Sequence, residues 1–300
     1  MLIVPQPLVY VVILNWNLKE DTAECVESVL QSRYESCRVL VVDNGSSDGS
    51  PEYLARFIPH IELLVNPSNL GFAAGNNIGI RHALDRHADH IFVLNNDTTV
   101  DPDMLGQLVA CAQGDKHIGI VAPKILYYQQ NRIWRLGDRI HPWLPVPLSV
   151  GRNHIDKGQF SEPLDVDYVT LCGALVKSIV LKSVGLLDER FFFTYEDADF
   201  CQRTRAAGYR ILCEPRARMW HKVSLSAQKD RARVAYIKSK SRAIFYRRYP
   251  HGPHRWLTAA YLWSSTAGTA VATALRGETA RAKLTLRGLY DGYREELEVS

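Results

Sequence analysis

Five continuous apolar runs, each closed by small polar residues, organise the first part of the chain. They are LVYVVIL (8–14), RVLVVD (38–43), IELLV (61–65), HIFVLN (90–95) and IGIVAP (118–123). None alternates apolar with polar, the pattern of strands buried on both faces of a parallel sheet. Helical stretches separate the runs. Ser50-Pro51 and Asp101-Pro102 each place a capping residue before a proline at the first helical position. The alternation predicts an α/β fold: a doubly wound, mostly parallel sheet with helices on both faces.

Residues 127–165 interrupt this rhythm. Their WRLGDRIHPWLPVPLSVGRN stretch, rich in Pro, Gly and aromatics, reads as a long irregular segment, either a flexible lid or acceptor loop or a surface insertion without a role. Beyond residue 228 the pattern turns helical. RARVAYIKSKSRAIFYRR (231–248) aligns Val234, Ile237, Ser241, Ile244 and Phe245 along one stripe among basic residues. Twenty uncharged residues follow (256–275); their length would span a bilayer, but six Ser/Thr and a Gly make them a poor membrane helix. The expected organisation is a catalytic domain over 1–228 and a helical region over 229–300.

Composition sharpens this picture at three points. With 46% hydrophobic and 23% charged residues, the 300-residue chain can build a sizeable core. Its net charge of +4 is uneven: residues 229–255 carry +8 and residues 1–228 carry −4. A localised basic segment fits an anionic membrane surface or a packed helix, within the protein or against a second copy. It does not fit a nucleic-acid groove, and no recognition motif accompanies it. The six cysteines show neither CxxC pairing nor metal-finger spacing, as for reduced thiols of a cytoplasmic protein. The amino terminus lacks the basic region of a signal peptide.

In doubly wound sheets ligands bind beyond the carboxyl ends of the strands. Here those ends carry Asn15-Trp16-Asn17, DNGSSDGS (43–50), NPSNLGFAAGNNIGI (66–80) and NNDTTVDPD (95–103). Any one is ordinary turn chemistry; four in succession at one edge mark a site. No GxGxxG or P-loop occurs. A carboxylate at a buried strand end can accept hydrogen bonds from a base or ribose, the role that suits Asp43. It can also hold a hard cation against a diphosphate, the role that suits Asp97.

Taken together, VVILNWN, VLVVDNGSSDGS, NLGFAAGNNIGI, LNNDTTVDP and FFFTYEDADFCQRTRAAGYR resemble GT-A glycosyltransferases of family 2, closest in style to the rhamnosyltransferase-like subgroup, across about residues 8–222. The resemblance implies a nucleotide-sugar donor, a divalent metal (Mg²⁺ or Mn²⁺), inversion at the anomeric carbon, and a glycan or lipid-linked glycan acceptor. By position, Asn15 and Asp43 would line the nucleoside pocket. Asn76 would lie near the phosphates, Asn95 near the ribose and Asp97 on the metal. The NND segment departs from the family's DxD element by an amide at Asn95. His221, in RMWHK, matches a histidine that completes the metal site in some members, though a lone histidine is commonly structural.

The same resemblance makes Asp197 the general base. Thr194-Tyr195-Glu196-Asp197 also fits a capping box, so a helix-capping role is open beside the catalytic one. Residues advance about 100° each around a helix, which turns Asp199 away from Asp197 and toward a helix-surface pair with Arg203. Glu196 either orients the acceptor or faces solvent. Two other readings use the same features: a sugar-phosphate nucleotidyltransferase, and a degenerate transferase serving as a scaffold subunit.

Overall fold

The computed structural model describes residues 5–141, 147–223, 230–250 and 255–296. In chain order its elements are β1 (Val9–Asn15), α1 (Lys19–Leu30), β2 (Cys37–Asp43), α2 (Ser50–Leu54), β3 (Glu62–Val65), α3 (Phe72–Asp85), β4 (His90–Asn95), β5 (Thr98–Val100), α4 (Met104–Gln113) and β6 (Ile118–Tyr127). There follow β7 (Ile133–Arg135), β8 (Asp138–Ile140), β9 (Pro147–Ser149), β10 (Leu164–Val166), β11 (Gly173–Lys177), α5 (Ser178–Val184), α6 (Glu196–Ala206) and β12 (Arg210–His221). Three long helices come last: α7 (Arg231–Arg248), α8 (Arg255–Leu275) and α9 (Thr279–Arg294).

The five apolar runs become β1, β2, β3, β4 and β6. The main sheet runs β10-β12-β6-β11-β4-β1-β2-β3, with β5 added on β12 and β7 on β6. β1 to β4 are parallel, β11 is inserted antiparallel between β4 and β6, and β12 runs parallel to β6. Along β1 the side chains divide between two cores. Val9, Val11 and Ile13 join α1 and α4 on one face, while Tyr10 and Val12 join α3, α5 and α6 on the other. Every one of these strand residues is buried, which is why the runs show no polar alternation.

The segment expected to be irregular carries β7 to β10 and a small core of its own, in which Leu126, Ile133, Leu136 and Cys213 are covered by Val150 and Phe160. Apolar side chains spaced one or two residues apart sustain these short strands, a signal too brief to stand out against the Pro and Gly around it. Residues 142–146, at the centre of that stretch, lie outside the described residues.

The chain divides into two compact units. One comprises Met1–Arg139, Ser149–Asp188 and Asp197–Val223; the other comprises Ile140–Leu148, Glu189–Glu196 and Ser224–Ser300. In the second unit α7, α8 and α9 pack around Ala243, Leu262 and Leu289. Gly288 and Gly292 let α9 lie directly on α7: a Cβ built on them would stand 2.2 Å from the Tyr236 carbonyl oxygen and 2.6 Å from that of Lys240. The apolar stripe of the basic segment is thus partly spent on helix packing, with Ile244 and Phe245 buried. Among the described residues no helix is long and apolar enough to cross a membrane.

Candidate active site

At the carboxyl end of β1 and β2, Asn15 and Asp43 are parallel neighbours in register. Asn15 Nδ2 donates to Asp43 Oδ1 at 2.6 Å, and Ser46 donates from its hydroxyl to Oδ1 (2.6 Å) and from its backbone N–H to Oδ2 (2.9 Å). Asn15 Oδ1 accepts from the Thr22 hydroxyl at 2.7 Å and from Asn96 Nδ2 at 3.1 Å. Both Asn15 and Asp43 have no exposed surface. Asp43 therefore spends three of about four acceptor positions inside the protein, and one on Oδ2 is left for a ligand. Next along the chain, Asn44 ties the β2 end to the following loop, donating to Asn69 and Gly71 and accepting from Asn66 and Leu70.

Asn76 and Asn77 lie in α3. Asn76 Nδ2 donates to the Phe72 carbonyl at 3.0 Å, and its Oδ1 is buried with no hydrogen-bond partner among the described residues. Asn77 instead clamps Leu187 through paired bonds of 2.9 and 3.0 Å. Asn95 ends β4; its backbone N–H donates to Cys172 and its carbonyl accepts from the Thr98 hydroxyl.

Two residues later the chain turns into β5, which pairs antiparallel with β12 so that Thr98 faces His221. That register brings Asp97 and His221 together. His221 Nε2 lies 3.1 Å and 3.2 Å from the two Asp97 carboxylate oxygens, and both residues are more than nine-tenths buried. The imidazole packs edge-on against Trp134 at 4.4 Å, and its Nδ1 has no partner among the described residues. Lys222, the next residue, donates its backbone N–H to the Asp97 carbonyl and its ammonium to Asp21 and Glu24. Lys222, and after it the Tyr128 hydroxyl that also donates to Glu24, hold the Glu24 carboxyl below its usual range.

A divalent ion fits the Asp97–His221 pair. Two ligands at right angles, each about 2.1 Å from an octahedral ion, stand about 3 Å apart, close to the spacing seen. A carboxylate with an imidazole suits manganese or magnesium when phosphate oxygens and water fill the other positions. Among the described residues no group of three or more His, Cys, Asp or Glu forms a closed metal cage.

Asp197 stands in the first turn of α6. Its Oδ2 accepts the Tyr168 hydroxyl at 2.5 Å and its Oδ1 accepts the Ala198 N–H at 2.8 Å. Burial pushes its carboxyl above the ordinary range, against the Tyr168 and Ala198 hydrogen bonds, the charge of Arg135 and a hydrogen bond from Thr170. Tyr168 is itself fixed by paired backbone bonds with Asp138, whose carboxylate takes Arg135 Nη1 at 2.8 and 3.0 Å. Burial raises the Cys172 thiol well above its usual pKa, and the charges of Asp97 and Asp197 are among those that raise it further.

Three local expectations change. Thr194 does not cap α6. Its φ is +66°, that of Tyr195 is +72°, and its buried hydroxyl has no hydrogen-bond partner among the described residues. Such a left-handed pair turns the hydroxyl off the helix axis. Glu196 is buried rather than solvent-facing. Asp199 does pair with Arg203, at 2.8 Å, but in the interior: Asp199 is fully buried and Arg203 also donates to the carbonyls of Val184 and Leu186. The pair pins α6 to the end of α5.

Sequence reasoning missed Thr22, Ser46, Asn96, Tyr168 and Thr170. Asn96 sits inside the quoted NND and Ser46 inside DNGSSDGS, so their positions were in view. Tyr168 lies in a stretch with no periodicity to flag it.

The model of the family described as Glycosyl transferase family 2 matches residues 10–184. Over 215 residues the chain is 25% identical to the dTDP-rhamnosyl transferase RfbF of Shigella flexneri, covering 72% of this chain and 69% of that one. It is 27% identical over 231 residues to the N-acetylglucosaminyl-diphospho-decaprenol L-rhamnosyltransferase of Mycobacterium tuberculosis, covering 69% and 73%. Among solved structures, the mannosyltransferase PcManGT of Pyrobaculum calidifontis, in complex with GDP-Man and Mn²⁺, superposes with a TM-score of 0.59 at 17% identity, covering 97% and 89%. GalNAc-T7 with UDP, GalNAc and Mn²⁺ gives 0.61 at 17%, covering 80% of this chain and half of that one. The fold is accordingly the GT-A type, with a helical C-terminal region. A family match that spans more than half of its residues identifies the chain as a member of glycosyl transferase family 2, in the rhamnosyltransferase-like group.

Proposed function

We propose that the protein is an inverting glycosyltransferase that moves a sugar from a nucleoside-diphosphate donor to a hydroxyl of a glycan or lipid-linked glycan. The observation that carries this reading is the buried Asp97–His221 pair brought together by β5 and β12, and the desolvated carboxyl of Asp197 in the first turn of α6 supports it. Asn15 and Asp43 set the floor of the nucleoside pocket, with Asn95 toward the ribose. Asp97 and His221 would hold a divalent ion. Bound there, the ion would offset charge growing on the leaving diphosphate. Asp197 takes the acceptor proton as the acceptor oxygen attacks the anomeric carbon and the bond to the diphosphate breaks on the opposite face. Base assistance of this kind is worth about 10²–10⁴-fold. The Mycobacterium relative's name specifies a diphospho-decaprenol substrate; an acceptor of that class would place the reaction at the inner face of a membrane, with the chain bound at its surface.

The test is a thermal-shift titration of UDP and dTDP with manganese or with chelator, beside a turnover assay. Ligand binding to the native state raises its melting temperature. The wild type is expected to shift further with metal than with chelator. Asp97→Ala should lose that difference, whereas Asp197→Asn should keep it and lose transfer by about 10²-fold or more. A wild type that neither shifts with any nucleotide nor hydrolyses a donor sugar would favour the scaffold reading.

A further inference from the structure

The second unit contains a cleft of about 320 Å³ among its three helices. Ala235, Lys238, Ser239 and Arg242 of α7 line it at helical spacing, as do Thr266, Thr269 and Thr273 of α8 and Arg281 and Thr285 of α9. No acidic residue is among its lining. Lys238 and Arg242 have no acidic partner among the described residues; Arg281 pairs with Glu278 at 2.9 Å. Ser239 is 7% exposed, and its hydroxyl has no hydrogen-bond partner among the described residues. The buried hydroxyl of Thr194, which also borders the cleft, is likewise unpartnered.

On α8, Thr266 and Thr273, which line the cleft, are buried along with Leu262 and Ala270, while Trp256, Leu257, Trp263, Val271 and Leu275 are exposed. The buried hydroxyls of Ser239 and Thr194, left without partners, cost stability, and Lys238 and Arg242, with Arg281 shared with Glu278, raise the local positive potential. An oxyanion with several charges would satisfy both.

We infer that this cleft binds a phosphate or diphosphate group, held by Lys238, Arg242 and Arg281 with the Ser239 and Thr194 hydroxyls donating. Guanidinium forks and an ammonium are the usual partners of phosphate oxygens, and the volume is large enough for a diphosphate ester. All of its lining residues belong to the helical unit. A lipid-borne diphosphate is one source, in line with the exposed apolar face of α8; a water-soluble phosphate ester is the other.

The experiment uses the full chain in chelator, so that metal-dependent binding at Asp97 is silent. Inorganic pyrophosphate is titrated calorimetrically into wild type, Asp97→Ala, Ser239→Ala and Lys238→Met/Arg242→Met. Wild type and Asp97→Ala should bind alike. Loss of two charge-assisted contacts should raise Kd by on the order of ten- to a hundred-fold or more, and Ser239→Ala, which retains both cations and the fold, should raise it several-fold. A second arm spins the same proteins with phosphatidylcholine vesicles with or without a polyprenyl diphosphate. Retention that needs both the diphosphate and the two cations assigns the lipid-borne source; pyrophosphate binding without such retention assigns the soluble one. Absence of binding in both arms, or binding unchanged in both cleft variants, overturns the site. Metal-dependent nucleotide binding, read separately, reports on the donor pocket and is unaffected by either result.

Discussion

Asp197 is held between opposing influences. Burial favours its protonated form, while the Tyr168 hydroxyl, the Ala198 N–H and Arg135 favour the carboxylate. Two predictions follow from the signs. Because the proposed base works ionised, the rate should fall as pH drops through a pKa above the ordinary carboxylate range. Tyr168→Phe removes a bond that lowers this pKa, so its acid limb should move to higher pH in a kcat/KM profile. The second concerns stability. In the window between the unfolded carboxylate pKa, about 3.9, and the raised native one, the folded state binds more protons than the unfolded. Stability then falls as pH rises through that window. Asp197→Asn removes this loss, so urea melts should show the variant gaining on wild type from acid toward neutral pH. Asp197 was legible because acids follow FFFTY at a helix start, a local pattern. Tyr168, 29 residues away, carries no such mark, because its role is set by where β10 and its loop deliver the ring.

At the scale of elements, close approach decides several choices that propensity would decide otherwise. Gly79 faces β1 and β2 from α3, where a Cβ would stand 2.4 Å from Val12 Cγ1 and 3.0 Å from Val42 Cγ2. Gly79→Ala improves intrinsic helix propensity by about 1 kcal/mol, yet overpacking of a core costs about 1–3 kcal/mol. The net expectation is a lower urea midpoint with an unchanged m-value. Gly288→Ala should cost more, because the obstacle is the Tyr236 backbone rather than a side chain that can rotate. Strands whose both faces are buried announced themselves as apolar runs. β12 did not, although it carries His221: its RILCEPRARMWH holds a proline and two exposed arginines, Arg216 and Arg218, at a register shift between Glu214 and Arg218. Proline in a strand is tolerated at such irregularities, and there the chain trades the apolar run for alternation.

Across the whole catalytic unit, one lysine fastens distant parts. Lys222 joins the end of the last strand to α1 through Asp21 and Glu24, about 200 positions earlier in the sequence. Its side chain is 17% exposed, so the pairs are screened less than surface pairs. Lys222→Met should loosen the strand end that carries His221. Metal-dependent nucleotide affinity should then fall several-fold, while metal-free affinity, set by the Asn15–Asp43 side of the pocket, stays put; paired titrations with manganese and with chelator check this. The halves of the proposed metal site also differ in age. Asp97 and His221 lie 124 residues apart, whereas Asn15, Asp43 and Asn96 are all made before residue 97. At about 5–20 residues per second, a ribosome needs roughly 6–25 s to go from one half to the other. For that interval the growing chain holds the residues of the proposed nucleotide pocket and Asp97 without His221, so stalled chains ending before β12 should be unable to consume donor sugar during synthesis.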